Sequence, residues 1–435
     1  MKTNVLVLGS GGREHALVWA IARSPHVGKI YCAPGNPGIG EIAELLPLSL
    51  QDHEGLANAV RTHDVGLTIV GPEVPLAAGI VDDFQAEGLT IFGPSRAASE
   101  LEWSKVFAKE FMSRHRIPTA PYRTFGLEEE SLAREYVSQG DPPFVIKADG
   151  LAAGKGVVVC TSREEALDVL HEFGEAKALG EAGSRVVVEG FLEGEEASVF
   201  AVTDGDRYVL LAPAQDHKRE FDGDQGRNTG GMGAYAPAPC VTSEILSRVE
   251  REILNPVLQG MKAEGRPYRG CLYLGLMLTN VGPKVIEFNA RFGDPETQVV
   301  LPLYGGDLFT LLSESARGAL TPGTMKHSRG PFKGAAVCVV LASGGYPGKY
   351  AVGFPIAGLT APASPRGIIS FHAGTSKKEG VVVTAGGRVL GVTAVEESGD
   401  LSRAIAAAYE AVPHIAFQNM HYRRDIGARA LRWFK

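Results

Sequence analysis

The chain has 435 residues, 44% hydrophobic and 21% charged, with a formal net charge of −7 and 54 glycines. At roughly 100–200 residues per domain this predicts two to four domains with ample core, and the acidic balance excludes a generic nucleic-acid-binding surface, which is basic. No apolar run approaches the roughly 18 residues of a membrane span, no signal-peptide core opens the chain, and the five cysteines form no CxxC pair. The expectation is a cytoplasmic protein with buried free thiols that acts on small molecules, not on nucleic acid or membranes.

In chain order, the apolar runs 4–8, 29–33, 67–70 and 89–92 predict short buried strands, each followed by a Gly/Pro turn, with a helix over 13–22. This alternation predicts a doubly wound parallel sheet, whose ligand lies beyond the carboxyl ends of the strands. Ser99 and Glu102 have the spacing of a capping box and predict a helix start close to a domain boundary. From Pro118 the texture becomes α+β. Strands are predicted over 144–147, 156–160, 185–188, 197–202 and 208–211, with hairpin loops at 150–154 and 204–206. Residues 214–235 hold few large apolar side chains and read as a long functional or disordered stretch. A helix over 243–261, a hairpin over 270–278 and 284–288 and a helix over 308–317 close the central region. Strands at 335–341, 368–371, 381–384 and 388–394 and a helix at 401–411 predict a small separate C-terminal α+β domain. The expected domains are 1–102, 103–327 (with a mobile lid over about 122–192) and 328–435.

Several strings carry chemistry. Gly9, Ser10, Gly11 and Gly12 feed a helix N-terminus, which favours an anion. The dinucleotide fingerprint fails, because Glu14 replaces its third glycine and no acid ends the second strand. Residues 150–156, including Gly154, Lys155 and Gly156, resemble a phosphate-binding loop one residue too short, either a solvated hairpin tip or a phosphate cover. Lys147, on the apolar strand before it, requires a partner. Glu189 ends a strand and Glu195 and Glu196 begin the next. Glu287 and Asn289, two apart on a strand, face one side and offer oxygen ligands to a hard cation. Arg291 and Asp294 follow at once. Asp216, in a charged run, and Asn228, before bare glycines, lie in the polar tract. Arg423 and Arg424 suit a phosphate. Nothing supports a nucleophile or a zinc site.

Taken in order, LVLGSGGREHAL (6–17), GPEVPL (71–76), SKVFAKEFM (104–112), KADGLAAGKGV (147–157), QDHKR (215–219), NTGGMGAY (228–235), EFNARFGDPETQ (287–298), FHAGT (371–375) and RRDIG (423–427) resemble the glycinamide ribonucleotide synthetase family of ATP-grasp ligases. The resemblance runs from residue 5 to 430. It implies an N-terminal α/β domain, an ATP-grasp core with a mobile lid and a C-terminal α+β domain, working as a monomer. It implies ATP-dependent ligation of glycine to 5-phosphoribosylamine through glycyl phosphate, with Mg2+ or Mn2+. Lys105 and Lys147 then match ATP-phosphate lysines and the 150–156 loop a phosphate cover. Glu189, Gly190, Phe191 and Leu192 match the adenine hinge. Glu196 matches the ribose carboxylate, with Glu195 its competitor. Glu287 and Asn289 match the metal ligands, and Arg291, Lys147 and Asp294 the catalytic groups. Gly9, Ser10, Gly11, Gly12, Glu73, Asp216, Asn228, Arg291, Arg423 and Arg424 match the substrate-binding set. The chain departs from many ATP-grasp enzymes in one respect: the strand over 272–278 carries no acid. Three rivals remain at this level: a nicotinamide-dependent oxidoreductase, a non-catalytic nucleotide sensor and a different carboxylate–amine ligase on the same core.

Overall fold

A computed structural model describes residues 2–150, 156–175, 185–359 and 367–434. The N-terminal strands are β1 (Thr3–Gly9), β2 (Val27–Pro34), β3 (Glu44–Leu45), β4 (Val65–Val70) and β5 (Ile91–Phe92). They form one parallel sheet in the order β3-β2-β1-β4-β5. The order reverses at β1, so the crevice beyond its carboxyl end is the ligand position for such a sheet. Helices α1 (Gly12–Ile21), α2 (His53–Thr62), α3 (Glu73–Ala78) and α4 (Ile80–Ala86) connect the strands. β1 and β4 are buried over nearly their whole length because both faces of the sheet are covered.

Two helices lead out of this unit, α5 (Arg96–Trp103) and α6 (Lys105–Arg114). The expected capping box at Ser99 does not form. Ser95 caps α5 by accepting the Ala98 N–H at 3.2 Å, and Ser104 caps α6 by accepting that of Phe107 at 3.1 Å. Ser99 is buried inside α5, its hydroxyl donating to the Arg96 carbonyl at 2.9 Å. Glu102 turns inward instead of capping, toward the site described below.

A second sheet, ordered β6-β9-β7-β8, comprises β6 (Tyr122–Gly126), β7 (Phe144–Ala148), β8 (Val157–Cys160) and β9 (Arg185–Gly190). Helices α7 (Glu130–Gln139) and α8 (Arg163–Glu175) cover it and close a small core around Phe125, Phe144, Ile146 and Leu170. From β9 the chain crosses at residues 191–194 into the central sheet β11-β10-β16-β17. Its strands are β10 (Glu195–Thr203), β11 (Tyr208–Leu210), β16 (Gly270–Thr279) and β17 (Gly282–Asn289).

The tract 214–235 is ordered, contrary to the expectation of a structureless stretch. It forms β12 (Gln215–Asp216), a hairpin of β13 (Arg219–Phe221) and β14 (Gln225–Asn228), and β15 (Gly233–Ala236). β12 and β15 pair with each other, and β15 pairs with β18 (Ala335–Ser343), opening the C-terminal sheet β12-β15-β18-β22-β19. The sheet is completed by β19 (Ile368–His372), β22 (Arg388–Glu396) and the short β23 (Met420–His421), which pairs with β18; β20 (Thr375–Lys378) and β21 (Val381–Thr384) form a separate hairpin. This sheet therefore draws two strands from ahead of residue 328. The helix predicted over 243–261 is interrupted. α9 (Ser243–Val249) passes through a π-helical turn at Glu250–Leu254 into α10 (Asn255–Ala263). The Asn255 N–H reaches back to the Glu250 carbonyl, and Pro256, with no N–H to give, follows. The remaining helices are α11 (Thr297–Leu303), α12 (Leu308–Ala316), α13 (Pro322–Met325) and α14 (Leu401–Ala411).

One apolar cluster runs from Val5 and Val7 of the first sheet through Phe200 and Phe292 to Ala336 and Cys338 of the last. The units thus share a core, which fixes their loops around a common space. All five cysteines are buried free thiols. Among the described residues no helix is long and apolar enough to cross a membrane.

Candidate active site

The loops at the carboxyl end of the first sheet, the concave face of the central sheet and the edge of the C-terminal sheet enclose a cavity of about 460 Å³. Seven cationic side chains line it (Arg13, Lys105, Lys109, Lys147, Lys218, Arg291, Arg388) and seven carboxylates (Glu73, Glu102, Glu189, Asp216, Glu287, Asp294, Glu296). One end is walled by Leu101, Ala108, Met112, Ile286 and Phe288, an apolar slot beside lysines. Such a slot suits a flat base next to phosphates.

The lysines are held by named partners. Lys147, on β7, lies 2.8 Å from Glu189 Oε1 and donates to the Ile286 carbonyl at 3.0 Å. Lys109, on α6, lies 2.8 Å from Glu189 Oε2 and donates to Thr119 Oγ1 at 2.7 Å. Burial, reinforced by Lys147 and opposed by Glu189, pulls the Lys109 ammonium down to about 8. Lys105 opens α6 and reaches the Gly150 carbonyl at 3.2 Å. Asp149 ties the 149–150 turn to that helix, accepting the Val106 N–H at 3.1 Å and pairing with Arg185 at 2.7 Å. Gly156 lines the cavity; Gly154 and Lys155 lie outside the described residues.

β17 places Glu287 and Asn289 on one face, both on the cavity. Burial raises the Glu287 carboxyl, but Lys218, Lys147, Lys105 and Arg291 together outweigh it and hold it below its ordinary value. Asn289 pairs with Tyr273 on β16, where no acid stands. Two oxygen donors on one face, both open to the cavity and one of them a carboxylate kept ionised, fit a hard divalent cation that completes its shell from phosphate and water. No group of three or more His, Cys, Asp or Glu with metal-holding geometry occurs among the described residues. Arg291 is clasped between Glu73 (Nε, 3.2 Å) and Glu102 (Nη2, 3.1 Å). Burial raises the Glu102 carboxyl, against the pull of Arg291. Glu73 is lowered, burial being outweighed by Arg291 and Arg13.

Asp294 stands where three units meet. Gln298 donates to its Oδ1 at 2.8 Å, and Arg388 of β22 lies 3.4 Å from its Oδ2. Arg388 also donates to the main-chain carbonyls of Asp294 at 2.6 Å and Gly230 at 2.5 Å. Arg388 and Arg13 hold Asp294 ionised against its burial. Asp216 is pushed up to about 7 by burial, which Lys218 opposes and Glu296 reinforces. Lys218 itself pairs with Glu196 at 2.9 Å.

The remaining expected residues are placed as follows. Glu196 faces Lys218 and the Glu287 side, whereas Glu195 bonds toward Cys240 on the opposite face of β10. Gly190 pairs with Phe144 and donates to the Pro121 carbonyl at 2.9 Å. Phe191 is exposed and Leu192 partly so, in the connection from β9 to β10, outside the cavity lining. Gly9, Ser10, Gly11 and Gly12 do not line the cavity. The Gly11 N–H is already taken by Glu14 Oε2 at 2.6 Å, and Gly9 adopts φ +126° against the same side chain. Asn228 is exposed and away from the cavity, while its neighbours Thr229 and Gly230 line it. Arg423 is wholly buried elsewhere, its guanidinium 2.7 Å from Asp425 and 2.9 Å from Asp224. Arg424 is exposed, and only its backbone N–H is engaged, by Asp222 at 2.7 Å. The paired arginines of the sequence therefore serve the fold at this corner and do not meet the cavity.

Glu102 and Arg388 carry no site expectation from the sequence, and Arg13, Lys109 and Lys218 are met there only within the strings 6–17, 104–112 and 215–219. Lys109 was findable, since it follows Lys105 by four residues and shares its helix face. Glu102 reads in sequence as a capping residue. Arg388 carries no local signal at all.

Residues 103–297 match the family model of the phosphoribosylglycinamide synthetase ATP-grasp (A) domain, residues 3–102 its N domain and residues 336–429 its C domain. The chain is 50% identical over 433 residues to the phosphoribosylamine–glycine ligase of Chlorobaculum tepidum, covering 98% of this chain and 100% of that one. It is 50% identical over 431 residues to the enzyme of the same name from Pseudomonas aeruginosa, covering 98% of each. The crystal structure of the Thermotoga maritima phosphoribosylamine–glycine ligase superposes with a TM-score of 0.83 at 35% identity, covering 98% of this chain and 100% of that one. A biotin carboxylase from Campylobacter jejuni shares the fold alone, with a TM-score of 0.74 at 15% identity over 97% of this chain and 93% of that one.

Proposed function

The chain belongs to the phosphoribosylglycinamide synthetase family, and from that premise we infer that it ligates glycine to 5-phosphoribosylamine at the expense of ATP. The products are glycinamide ribonucleotide, ADP and phosphate, and the reaction is a step of de novo purine biosynthesis. The observation that carries this reading is the convergence of Lys105, Lys147, Glu287, Asn289 and Arg291 on one cavity that Glu73, Asp294 and Arg388 also line. A cationic, oxygen-donor end for a nucleoside triphosphate is thereby joined to a mixed-charge end for two small polar substrates.

The reaction needs no enzyme nucleophile. The glycine carboxylate takes the γ-phosphoryl group of ATP to give glycyl phosphate. The amine nitrogen then attacks the acyl carbon, a C–N bond forms, and the acyl C–O bond breaks to release phosphate. The residues act by positioning and charge. Lys105 and Lys147 steady the ATP phosphates, with residues 150–156 as the proposed phosphate cover, and the apolar slot takes the base; Gly190, Phe191 and Leu192, which follow Glu189 out of the cavity lining, are its proposed hinge. Glu196 is the better placed of its pair for the ribose, since it faces the cation-bearing side. Glu287 and Asn289 hold Mg2+ or Mn2+, which when bound neutralises charge on the phosphates. Arg291 steadies the glycine carboxylate and then the acyl phosphate oxygens. Asp294, kept ionised by Arg388, accepts an N–H of the incoming amine. Glu73 bounds the amine substrate, and Asp216 joins the substrate-binding set from beside Lys218 and Glu296. By the same reading the ligase is a monomer that works on small molecules in the cytoplasm.

The test is ADP release from purified protein with ATP and Mg2+, given glycine, freshly generated phosphoribosylamine, or both. Release only with both, together with a product of glycinamide ribonucleotide mass, is the expected result. Release with glycine and a different amine, but not with phosphoribosylamine, overturns the substrate assignment.

A further inference from the structure

β17 ends at Asn289, and the chain leaves the sheet through Ala290 and Arg291. An N–H in such a turn has no ladder partner and must find one elsewhere. Glu102 supplies it. Its Oε2 accepts the Ala290 N–H at 2.6 Å, while its Oε1 lies 3.1 Å from Arg291 Nη2. That same Nη2 lies 3.2 Å from Asn289 Oδ1. One guanidinium nitrogen is therefore shared between a carboxylate and the amide oxygen of an expected metal ligand. The Glu102 side chain is only 7% exposed. A carboxylate so deep is unfavourable to the fold by itself, and neutral replacements of similar shape are often tolerated or stabilising at such places.

We propose that Glu102 is a positioning residue of the ligase reaction: it competes with Asn289 for Arg291 Nη2 and pins residue 290, so that the Asn289 oxygen can exchange its shared contact for a cation. The inference rests on the reading that Glu287 and Asn289 hold that cation. A charged acceptor binds a guanidinium more strongly than an amide does. With Glu102 present, Nη2 is drawn to the carboxylate. Without its charge, Nη2 keeps Asn289 as its acceptor and occupies the lone pair the cation needs. Fixing both the backbone of residue 290 and the side chain of residue 291 also sets the spacing between metal donor and anion-binding group. Such supporting shells decide whether a site is tight or loose.

The test uses the full chain and two variants, Glu102→Gln and Glu102→Asp, with Mn2+ as probe in the presence of ADP. The amide of Glu102→Gln can still accept the Ala290 N–H but carries no charge. Its expected thermal midpoint is unchanged or higher, and its affinity for ADP in EDTA is that of the wild type. Its Mn2+ affinity with ADP bound, read by calorimetry or electron paramagnetic resonance, falls by about 10-fold or more, and kcat falls in parallel. Glu102→Asp, shorter but charged, recovers part of the Mn2+ affinity. Mn2+ affinity within about twofold of wild type in Glu102→Gln, or an equal loss in both variants that tracks a lowered melting point, overturns the inference. So does a wild-type protein that binds no Mn2+ with ADP. The Mn2+ titration needs no turnover, so a wild type that binds Mn2+ but makes no glycinamide ribonucleotide overturns the substrate assignment alone.

Discussion

Lys109 and Lys147 bind opposite oxygens of a single carboxylate: each ammonium lies 2.8 Å from Glu189. One lysine comes from a helix leading out of the first sheet and the other from a strand of the second sheet. Glu189 thus couples the second sheet to the body of the protein by ion pairing, beside hydrogen bonds such as that from the Tyr122 hydroxyl to the Lys109 carbonyl at 2.8 Å. It leaves the trio with one net positive charge for as long as Lys109 is protonated.

That condition is tested by pH. The Lys109 ammonium sits at about 8, pulled down chiefly by burial. As pH rises through about 8 its charge disappears, and the half-saturating ATP concentration is expected to rise several-fold while kcat changes less. Arginine stays charged to far higher pH. In Lys109→Arg the rise is therefore expected to vanish from steady-state profiles between pH 7 and 9. An identical profile in the variant would place the titration elsewhere.

Removal of Glu287 is expected to separate nucleotide binding from turnover. Glu287→Ala loses kcat by about 10²-fold or more. It still binds ADP in EDTA with wild-type affinity, because the lysine end is intact. The gain in ADP affinity that the wild type shows on adding Mg2+ is expected to be absent. Calorimetric titrations with and without Mg2+ measure both quantities, and a Mg2+-dependent gain that persists contradicts the ligand assignment.

Arg423 is expected to matter for stability rather than for the amine substrate. Its guanidinium is fully buried and bridges Asp224 and Asp425. Breaking a buried pair from one side costs about 3–5 kcal/mol. Because Asp224 is half-exposed here, about 2–4 kcal/mol is the expected loss for Arg423→Ala. Denaturant titration reads this directly. The KM for phosphoribosylamine is expected to stay within about twofold, and a large rise with unchanged stability would return Arg423 to the substrate.

Acid destabilisation is expected from the junction between the first and last sheets. His15 accepts the His372 N–H at 2.8 Å, and burial lowers His15 to about 3 and His372 to about 4. Both folded values lie below the ordinary 6.5. The unfolded chain therefore binds the extra protons between about pH 3 and 6.5, and stability rises with pH across that window. The contribution is complete above 6.5 and is lost as pH falls, by about 1.4 kcal/mol per pH unit for each histidine. Melting points of wild type and His15→Asn between pH 7 and 5 check it. The variant is expected to show the shallower slope.

Much of this was legible in the residues themselves. The alternating strands of the first sheet and the β16–β17 hairpin are continuous apolar runs bounded by glycine or proline, and such runs specify themselves locally. Glu287 and Asn289 share a face because strand periodicity is two, which needs no tertiary knowledge. What escaped depends on partners far along the chain. Arg423 reads as a free phosphate ligand until Asp224 is brought to it, and Ser99 as a cap until Ser95 and Ser104 take that role. Residues 214–235 look structureless because they lack apolar bulk; their order comes from β18, about a hundred residues later. Arg388 gains its meaning only where β22 meets the Asp294 turn.

The way β15 lies alongside β18 bears on how the polypeptide can be cut. Gly233 to Ala236 cover one flank of β18 residue by residue. A fragment beginning at 328 would leave that flank bare, presenting a row of unpaired N–H and C=O groups on a strand whose every residue is buried in the intact protein. Such an edge invites pairing with other chains. The C-terminal segment expressed alone is therefore expected to aggregate, and a fragment that keeps this flank of β18 covered must begin ahead of residue 215.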